Sequence, residues 1–351
     1  MTVDLAGRAP TEIFTLPFGN SRLEEEWLEL AGRDPHSSYF QTPDWVLSWW
    51  EALAGRPPTR VAIWRDGGGA LEALAAVSRQ RHRVLRLLPL GTSAWTNTGS
   101  GVGAADHCGW PALESRRPDV RAWLRSHPGK LVLSNLDPDS GTSLVPDGAA
   151  MVAATVCPRL EIPDDLSRLG RSNHFRRHLR NYRRRLVDVG VSFETLGPDQ
   201  MSNEVISEVI RLHQLRRAVT GWRSTFTGRR LAFHQQLLSR ADKGRGPAAT
   251  VAWYGGQVVG AIYGFWWQHT FAFYQGGWED RWPSLSLGTV LNAEAIAECA
   301  RAGGRIYDFL RGEEEYKLRF GASPRVDQTW VRPSGVGRLV TRLRSQSGRT
   351  P

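Results

Sequence analysis

The sequence predicts an α/β (α+β) fold in two similar domains, each a mixed, mostly antiparallel sheet flanked by helices. A repeated pattern is the main reason. Residues 61–91 and 251–277 each show a short apolar strand, a glycine turn, a longer strand, a polar turn and a final strand ending in glycine. The second reason is length, because 351 residues suffice for two domains with separate cores. The repeat indicates an internal duplication, although two unrelated hairpins would also produce it.

Two pairs of residues mark equivalent positions in the repeat. Trp64 and Trp253 lie near the end of the first strand of each copy. His82 and His269 each stand at the centre of a polar triplet where the second turn is expected. These matching positions favour two copies of one supersecondary unit.

The boundary between the domains is predicted near residue 160. A predicted strand at 151–157 precedes it, and Pro163, Asp164 and Asp165 lead into a helix after it. The resulting prediction is an N-terminal domain over 1–160, a C-terminal domain over 161–335 and a flexible tail over 336–351.

Composition and charge restrict the class of protein. The formal net charge of +10 favours a polyanionic partner or substrate, such as phosphates, tRNA or an anionic membrane. No apolar run approaches the ~18–20 residues that a transmembrane helix needs. The start lacks the basic and apolar segments of a secretory signal, and the three cysteines match no disulfide or metal spacing. We therefore expect a cytoplasmic protein with no metal cofactor.

An arginine-rich segment at 168–190 is the most unusual part of the sequence. Ser172 is suited to cap a helix with one apolar stripe, formed by Phe175, Leu179, Tyr182 and Leu186. Arginines cover the other faces, and we predict that Arg176, Arg180 and Arg183 contact phosphate groups. The alternative is a solvated amphipathic helix without a ligand.

The 251–310 block predicts an anion site at the start of a helix. Three apolar strands are followed by a helix that begins at Ser286, Leu287, Gly288 and Thr289, and by a short strand at 306–310. Backbone amides at a helix start can bind a pyrophosphate. A glycine at any strand-to-helix turn would give the same pattern, so the signal is not specific.

Several passages together resemble a known family. They are FQTPDWVLSWWEALAG, the basic helix, the SLSLGT helix start and, above all, DFLRGEEEYKLRFG at 308–321. Over roughly 35–330 the chain resembles the cellulose-biosynthesis-type (CelD-like) branch of the GNAT acetyltransferase superfamily, which is related to the Fem-type aminoacyltransferases. The resemblance implies tandem GNAT-like acyltransferase domains, with the first domain on the acceptor side and the donor bound to the second.

The resemblance also implies a mechanism and its residues. An amine attacks an activated acyl carbon while the protein orients the reactants and stabilises the oxyanion. Lys317 is the candidate for that electrostatic role, or else a surface lysine paired with the acidic run before it. Tyr316 is a candidate proton donor or a packed tyrosine. Glu279 is a candidate base or a surface carboxylate, and Asp308 orients the lysine or caps a turn.

The donor implied by the resemblance is acyl-CoA, in particular acetyl-CoA, and the acceptor is a sugar, a polysaccharide precursor or a small metabolite. One departure leaves the donor open. The usual coenzyme-A pattern has Arg or Gln, two residues, Gly, one residue, then Gly or Ala, whereas residues 281–290 contain only Gly288. An aminoacyl-tRNA donor and a non-catalytic, polyanion-binding tandem domain are the alternatives. A DNA partner is not expected, and no hydrolase or nucleoside-triphosphatase motif occurs.

Overall fold

The computed structural model describes residues 7–19, 21–83, 91–101, 105–219 and 228–334. It divides into two compact units. The first contains the described residues up to Thr155 together with those from Val326 onward, and the second is Val156–Arg325. In the described part of the chain, no helix is both long enough and apolar enough to cross a membrane.

Both units contain helices and strands. The helices are α1 (Ser21–Arg33), α2 (Pro43–Ser48), α3 (Arg117–Ser126), α4 (Asn173–Asp188), α5 (Asn203–Val219), α6 (Arg229–Ser239), α7 (Leu287–Arg301) and α8 (Glu315–Arg319). The strands are β1 (Glu12–Thr15), β2 (Thr59–Arg65), β3 (Leu71–Arg83), β4 (Gly91–Asn97), β5 (Leu131–Leu136), β6 (Ala150–Val156), β7 (Arg159–Glu161), β8 (Ser192–Leu196), β9 (Gly246–Tyr254), β10 (Gln257–Trp267), β11 (Thr270–Trp278), β12 (Ile306–Asp308) and β13 (Val326–Arg332).

The sheet of the first unit has the order β1-β2-β3-β4-β5-β13-β6. The first four strands are antiparallel neighbours, and β5 is parallel to β4. Strand β13 lies between β5 and β6, with Trp330 opposite Leu133. The prediction that 161–335 belongs wholly to the second domain is therefore wrong for β13, and the division falls at 155/156. The predicted tail, 336–351, lies outside the described residues.

The sheet of the second unit has the order β7-β12-β11-β10-β9-β8. Strands β8 to β11 are antiparallel neighbours, and β12 is parallel to β11. The succession β9-β10-β11-α7-β12 thus repeats the succession β2-β3-β4-α3-β5 of the first unit. This shared connectivity confirms the predicted fold class, with two mixed, mostly antiparallel sheets flanked by helices.

One of the two predicted turns is misplaced. The turn at His269 is confirmed, because β10 ends at Trp267 and β11 begins at Thr270. The turn at His82 is wrong, because β3 continues to Arg83 and His82 pairs with Thr92 of β4. A polar triplet occurs within strands as well as at turns, so the pattern alone did not separate the two.

Helices cover both faces of the second sheet. On one face, α7 and α4 bury a core that includes Leu186, Ile262, Leu291 and Tyr307. On the other face lie α5 and α6. A side chain at Gly277 of β11 would overlap the backbone of α5 at Leu212, so glycine is required for α5 to approach the strand.

Candidate active site

Strands β11 and β12 separate soon after they begin. They pair only at Thr270 with Ile306, Phe271 with Tyr307, and Ala272 with Asp308. Strand β12 ends there, whereas β11 continues to Trp278. We call the segment of β11 from Phe273 to Trp278, on the side facing away from β10, the β11 edge. It is where an extended ligand can lie beside the strand in place of β12.

A β-bulge lies at the start of the β11 edge. Tyr263 of β10 pairs with Gln275, while the next residue, Gly264, pairs with Phe273, so Tyr274 is the extra residue. A bulge bends its strand and increases the local twist. The bulge lies at the point where β11 parts from β12.

A tight turn follows β12 on the other side of this separation. The Asp308 carboxylate accepts a hydrogen bond from the Leu310 amide over 2.8 Å. Leu310 has φ +52°, in the left-handed region that non-glycine residues rarely adopt, and Gly312 has φ +119°. Of the two predicted roles of Asp308, the geometry supports the cap of this turn.

Lys317 holds the same turn from inside. The side chain is buried, and its ammonium donates to the carbonyl oxygens of Leu310, Arg311 and Gly312 over 3.3, 2.9 and 3.1 Å. Its Nζ also lies 2.9 Å from the Glu314 carboxylate. An ammonium has three hydrogens, and the three carbonyl oxygens and the Glu314 carboxylate together accept them. The geometry makes Lys317 a positioning residue, and its predicted contact with an oxyanion stays a prediction.

Tyr316 lies beside this lysine with its ring packed against Phe309, 6.1 Å between centroids. Burial raises the pKa of the Tyr316 phenol, Glu314 raises it further, and the positive charge of Arg216 opposes them. The phenol is protonated at neutral pH, as a proton donor must be, while the raised pKa makes it a weaker acid than an ordinary tyrosine.

Glu279 follows β11 directly and is held between two arginines. Its carboxylate lies 3.4 Å from the Arg211 guanidinium and 2.7 Å from that of Arg281. Its amide donates to the Val259 carbonyl oxygen over 2.8 Å. These ion pairs occupy both carboxylate oxygens, which disfavours the predicted role of general base.

The predicted anion site at the start of α7 is closely covered. Ser286 has φ +48°, and its carbonyl oxygen accepts from the Thr289 and Val290 amides. Leu287 and Gly288 are buried, and a side chain at 288 would overlap the six-membered ring of Trp278. Gly288, the single glycine of the predicted anion site, therefore makes room for the Trp278 indole. This indole covers the start of α7.

Trp278 also carries a cation on its ring. The guanidinium of Arg216, an exposed residue of α5, lies 4.0 Å from the ring centroid. Neither residue was predicted from the sequence. The glycine at 288 was the only local signal that something bulky packs against α7, and nothing in the sequence connects α5 with β11.

The structure separates the three predicted phosphate-binding arginines of α4. Arg176 donates to the Gly170 carbonyl oxygen over 2.5 Å, and Arg183 pairs with Glu294 of α7 over 2.5 Å. Only Arg180 is exposed on the helix face opposite the apolar stripe, where the sequence also places Arg177 and Arg184. All three line a depression of about 550 Å³ together with His178 and Asn181. Arg177 and Arg180 also line a second one of about 450 Å³, together with Ser167, Asn173, His174 and Arg176.

A family comparison places part of the chain in a known class. Residues 173–318 match the model described as an acetyltransferase (GNAT) domain. This match includes α4, the β11 edge, α7 and Lys317. The second unit thus contains the region that matches a GNAT acetyltransferase domain. Among curated proteins no sequence matches the chain.

Solved structures extend the likeness of fold to the rest of the chain. The crystal structure of FemX is 9% identical and covers 94% of this chain and 99% of its own, with a TM-score of 0.65. The C-terminal domain (DUF2156) of a putative lysylphosphatidylglycerol synthetase from Agrobacterium fabrum is 11% identical, covering 91% and 94%, with a TM-score of 0.55. L-PGS from Bacillus licheniformis is 11% identical, covering 81% and 88%, with a TM-score of 0.50. At these identities the likeness concerns the fold.

Proposed function

We propose that the protein is a GNAT-type N-acyltransferase that moves an acyl group from acyl-CoA to an amine or hydroxyl. The observation that supports this best is the β11 edge, where β12 leaves the strand after Ala272. A thioester donor with an extended, amide-containing arm can hydrogen-bond there as a strand would. The resemblance to the cellulose-biosynthesis-type branch favours a sugar, a polysaccharide precursor or a small metabolite as acceptor.

The proposed reaction needs orientation and one proton donor. The neutral amine attacks the thioester carbonyl carbon, the C–N bond forms and the C–S bond breaks. The Tyr316 phenol gives its proton to the leaving thiolate and regains one from the nitrogen of the new amide, so that free thiol and amide result. Asp308 and Lys317 fix the turn that precedes α8, the helix that carries Tyr316.

The test is binding and turnover of acetyl-CoA by the full chain. We expect acetyl-CoA to raise the melting temperature, because a ligand that binds only the folded state stabilises it. We also expect thiol release that depends on an added amine. A melting temperature that does not move at millimolar acetyl-CoA, with no thiol release, would contradict the proposal.

A second candidate is an aminoacyltransferase that uses aminoacyl-tRNA, and a specific observation favours it. Arg177, Arg180 and Arg184 share one exposed face of α4, and Trp278 covers the helix start where a CoA pyrophosphate is expected. Charged tRNA would then bind far more tightly than CoA, with an affinity that falls steeply with salt. Polyanion binding without any transfer activity would instead support the third alternative, a non-catalytic tandem domain.

A further inference from the structure

Three groups lie together at the end of the β11 edge: the Trp278 indole, the backbone at Gly288 and the Arg216 guanidinium. The backbone at Gly288 lies against Trp278, since a side chain there would meet Cε2, Cζ2 and Cη2 of the indole. The Arg216 guanidinium stacks over the same ring, 4.0 Å from its centroid. The indole thus fixes where the charge of Arg216 is held.

The three groups come from α7, β11 and α5, and the two helices cover different faces of the second sheet. A side chain at Gly276 would meet Ile262 of the core under α7, whereas one at Gly277 would meet the backbone of α5. Gly288 belongs to the α7 face and Arg216 to the α5 face. Trp278 is the last residue of the β11 edge, so the Arg216 guanidinium over its ring lies close to the segment on which the donor is proposed to bind.

The position of Arg216 relative to Tyr316 supports this assignment. The charge of Arg216 acts on the Tyr316 phenol, which places the two groups within electrostatic range of each other. Tyr316 is the proposed proton donor to the leaving group, so the charge of Arg216 acts on a residue of the proposed reaction. A guanidinium recognises carboxylate and phosphate groups by paired, charge-assisted hydrogen bonds.

We propose that Arg216, held in place by Trp278, binds the anionic group of the acceptor, and that the acceptor is an amine that carries a carboxylate or a phosphate. This inference rests on the proposed function and names its acceptor class. Arg216 is the substrate-binding residue and Trp278 the positioning residue. The net positive charge of the chain, +10, favours the same class of substrate.

The experiment compares matched pairs of amines by calorimetry with the full chain. The probes are glucosamine 6-phosphate against glucosamine, and alanine against ethylamine. We expect the wild type to bind the anionic member of at least one pair about 10- to 100-fold more tightly. The pair that shows the preference distinguishes phosphate from carboxylate.

Variants separate the role of Arg216 from general electrostatics. Arg216→Gln is expected to abolish the preference, Arg216→Lys to retain part of it, and Trp278→Leu to weaken it more than Trp278→Phe. Arg229→Gln removes the same charge from an exposed position of α6 and is expected to leave the preference intact. Melting temperatures of all variants show that each has folded.

The outcomes distinguish this inference from the proposed function. The inference is overturned if the wild type shows no preference in either pair, or if Arg216→Gln keeps it. Acetyl-CoA binding is measured in parallel and is expected to be equal in wild type and Arg216→Gln. If neither protein binds acetyl-CoA but the preference depends on Arg216, the donor assignment fails and the anionic acceptor site stands.

Discussion

Lys317 donates a hydrogen bond to the carbonyl oxygen of Arg311 over 2.9 Å, from a side chain that is almost completely buried. The same ammonium reaches the carbonyl oxygens on either side of it, so one lysine holds three consecutive peptide groups. Without the lysine those carbonyls lose their charged donor. The turn after β12 therefore depends on a side chain that follows it in the sequence.

Replacing this lysine is expected to cost stability as well as activity. We predict that Lys317→Ala lowers the free energy of unfolding by about 3 kcal/mol, because it removes the donor from buried carbonyl oxygens. Urea denaturation followed by circular dichroism measures the change. Lys243→Ala, at an exposed position, is the control and is expected to be neutral. A Lys317→Ala protein of unchanged stability would contradict the positioning role.

Gly288 is predicted to be needed for full stability as long as Trp278 packs against it. A methyl group at 288 overlaps the indole, so we expect Gly288→Ala to destabilise the protein by about 1–3 kcal/mol. Gly67→Ala adds the same group in open space and serves as the control. The double variant Gly288→Ala with Trp278→Leu should recover part of the loss in thermal denaturation, and strict additivity would disprove the contact.

Tyr316→Phe tests the proton donor directly. Loss of a general acid is expected to lower kcat by about 100-fold or more, with KM for the donor little changed. Because burial raises the pKa of Tyr316, its deprotonation should not limit activity anywhere between neutral pH and pH 9. The assay is thiol release as a function of pH. Tyr254→Phe is the control, and equal activity of the two variants would remove Tyr316 from the mechanism.

The exposed arginines of α4 are predicted to account for salt-dependent RNA binding, if RNA binds. Replacing Arg177, Arg180 and Arg184 together by Gln should reduce the slope of log K against log salt by about 2–3, because each phosphate contact contributes about 0.7–0.9. Fluorescence anisotropy with tRNA measures the slope.

The control for this prediction carries the same loss of charge. Arg22, Arg301 and Arg319 are exposed and each pairs with an acidic residue of its own helix. Their replacement by Gln is expected to leave the slope nearly unchanged. An equal effect of both triple variants would show that net charge, and not the face of α4, governs binding.

Two buried histidines predict a loss of stability in mild acid. Burial lowers the pKa of His127 to about 4 and that of His234 to about 3. The unfolded chain, with a histidine pKa of about 6.5, takes up protons first. The contribution of each histidine to the free energy of unfolding is therefore fully present above the histidine pKa of the unfolded chain. It falls as the pH drops below that pKa, by about 2 kcal/mol per histidine between pH 7 and pH 5.

Urea denaturation at the two pH values, with neutral replacements, checks this dependence. His127→Gln and His234→Gln should each show a smaller loss between pH 7 and pH 5 than the wild type. The two histidines lie in different units, so each variant should change the response of its own unit. A pH dependence identical to that of the wild type in both variants would contradict the prediction.

The sequence pattern predicted the duplicated connectivity because that information is local. Strand alternation, glycine turns and the Ser172 cap all act within a few residues, and the Ser172 hydroxyl does accept from the Phe175 amide. Long-range pairing was not predictable in this way. Strand β13 joins β5, and Arg216 stacks on Trp278, across stretches of chain that carry no shared pattern.

The candidate site was found in part for the same reason. The position of Lys317 and Tyr316 after a strand followed from the family resemblance, but the contacts of Lys317 depend on a turn with a left-handed Leu310. The arginines of α4 were recognised as a group. Which of them are engaged depends on Glu294 of α7 and on the Gly170 carbonyl oxygen, and a helical pattern contains neither.

The place of β13 has a consequence for how the chain is made. The first unit needs Val326–Arg332 to fill the position between β5 and β6, yet these residues leave the ribosome only after the whole second unit. Until then the nascent first sheet exposes two unpaired edges, which is the condition that attracts chaperones or other chains. A stop codon just before Val326 would keep every residue of the second unit and would leave β5 and β6 of the first without the strand between them.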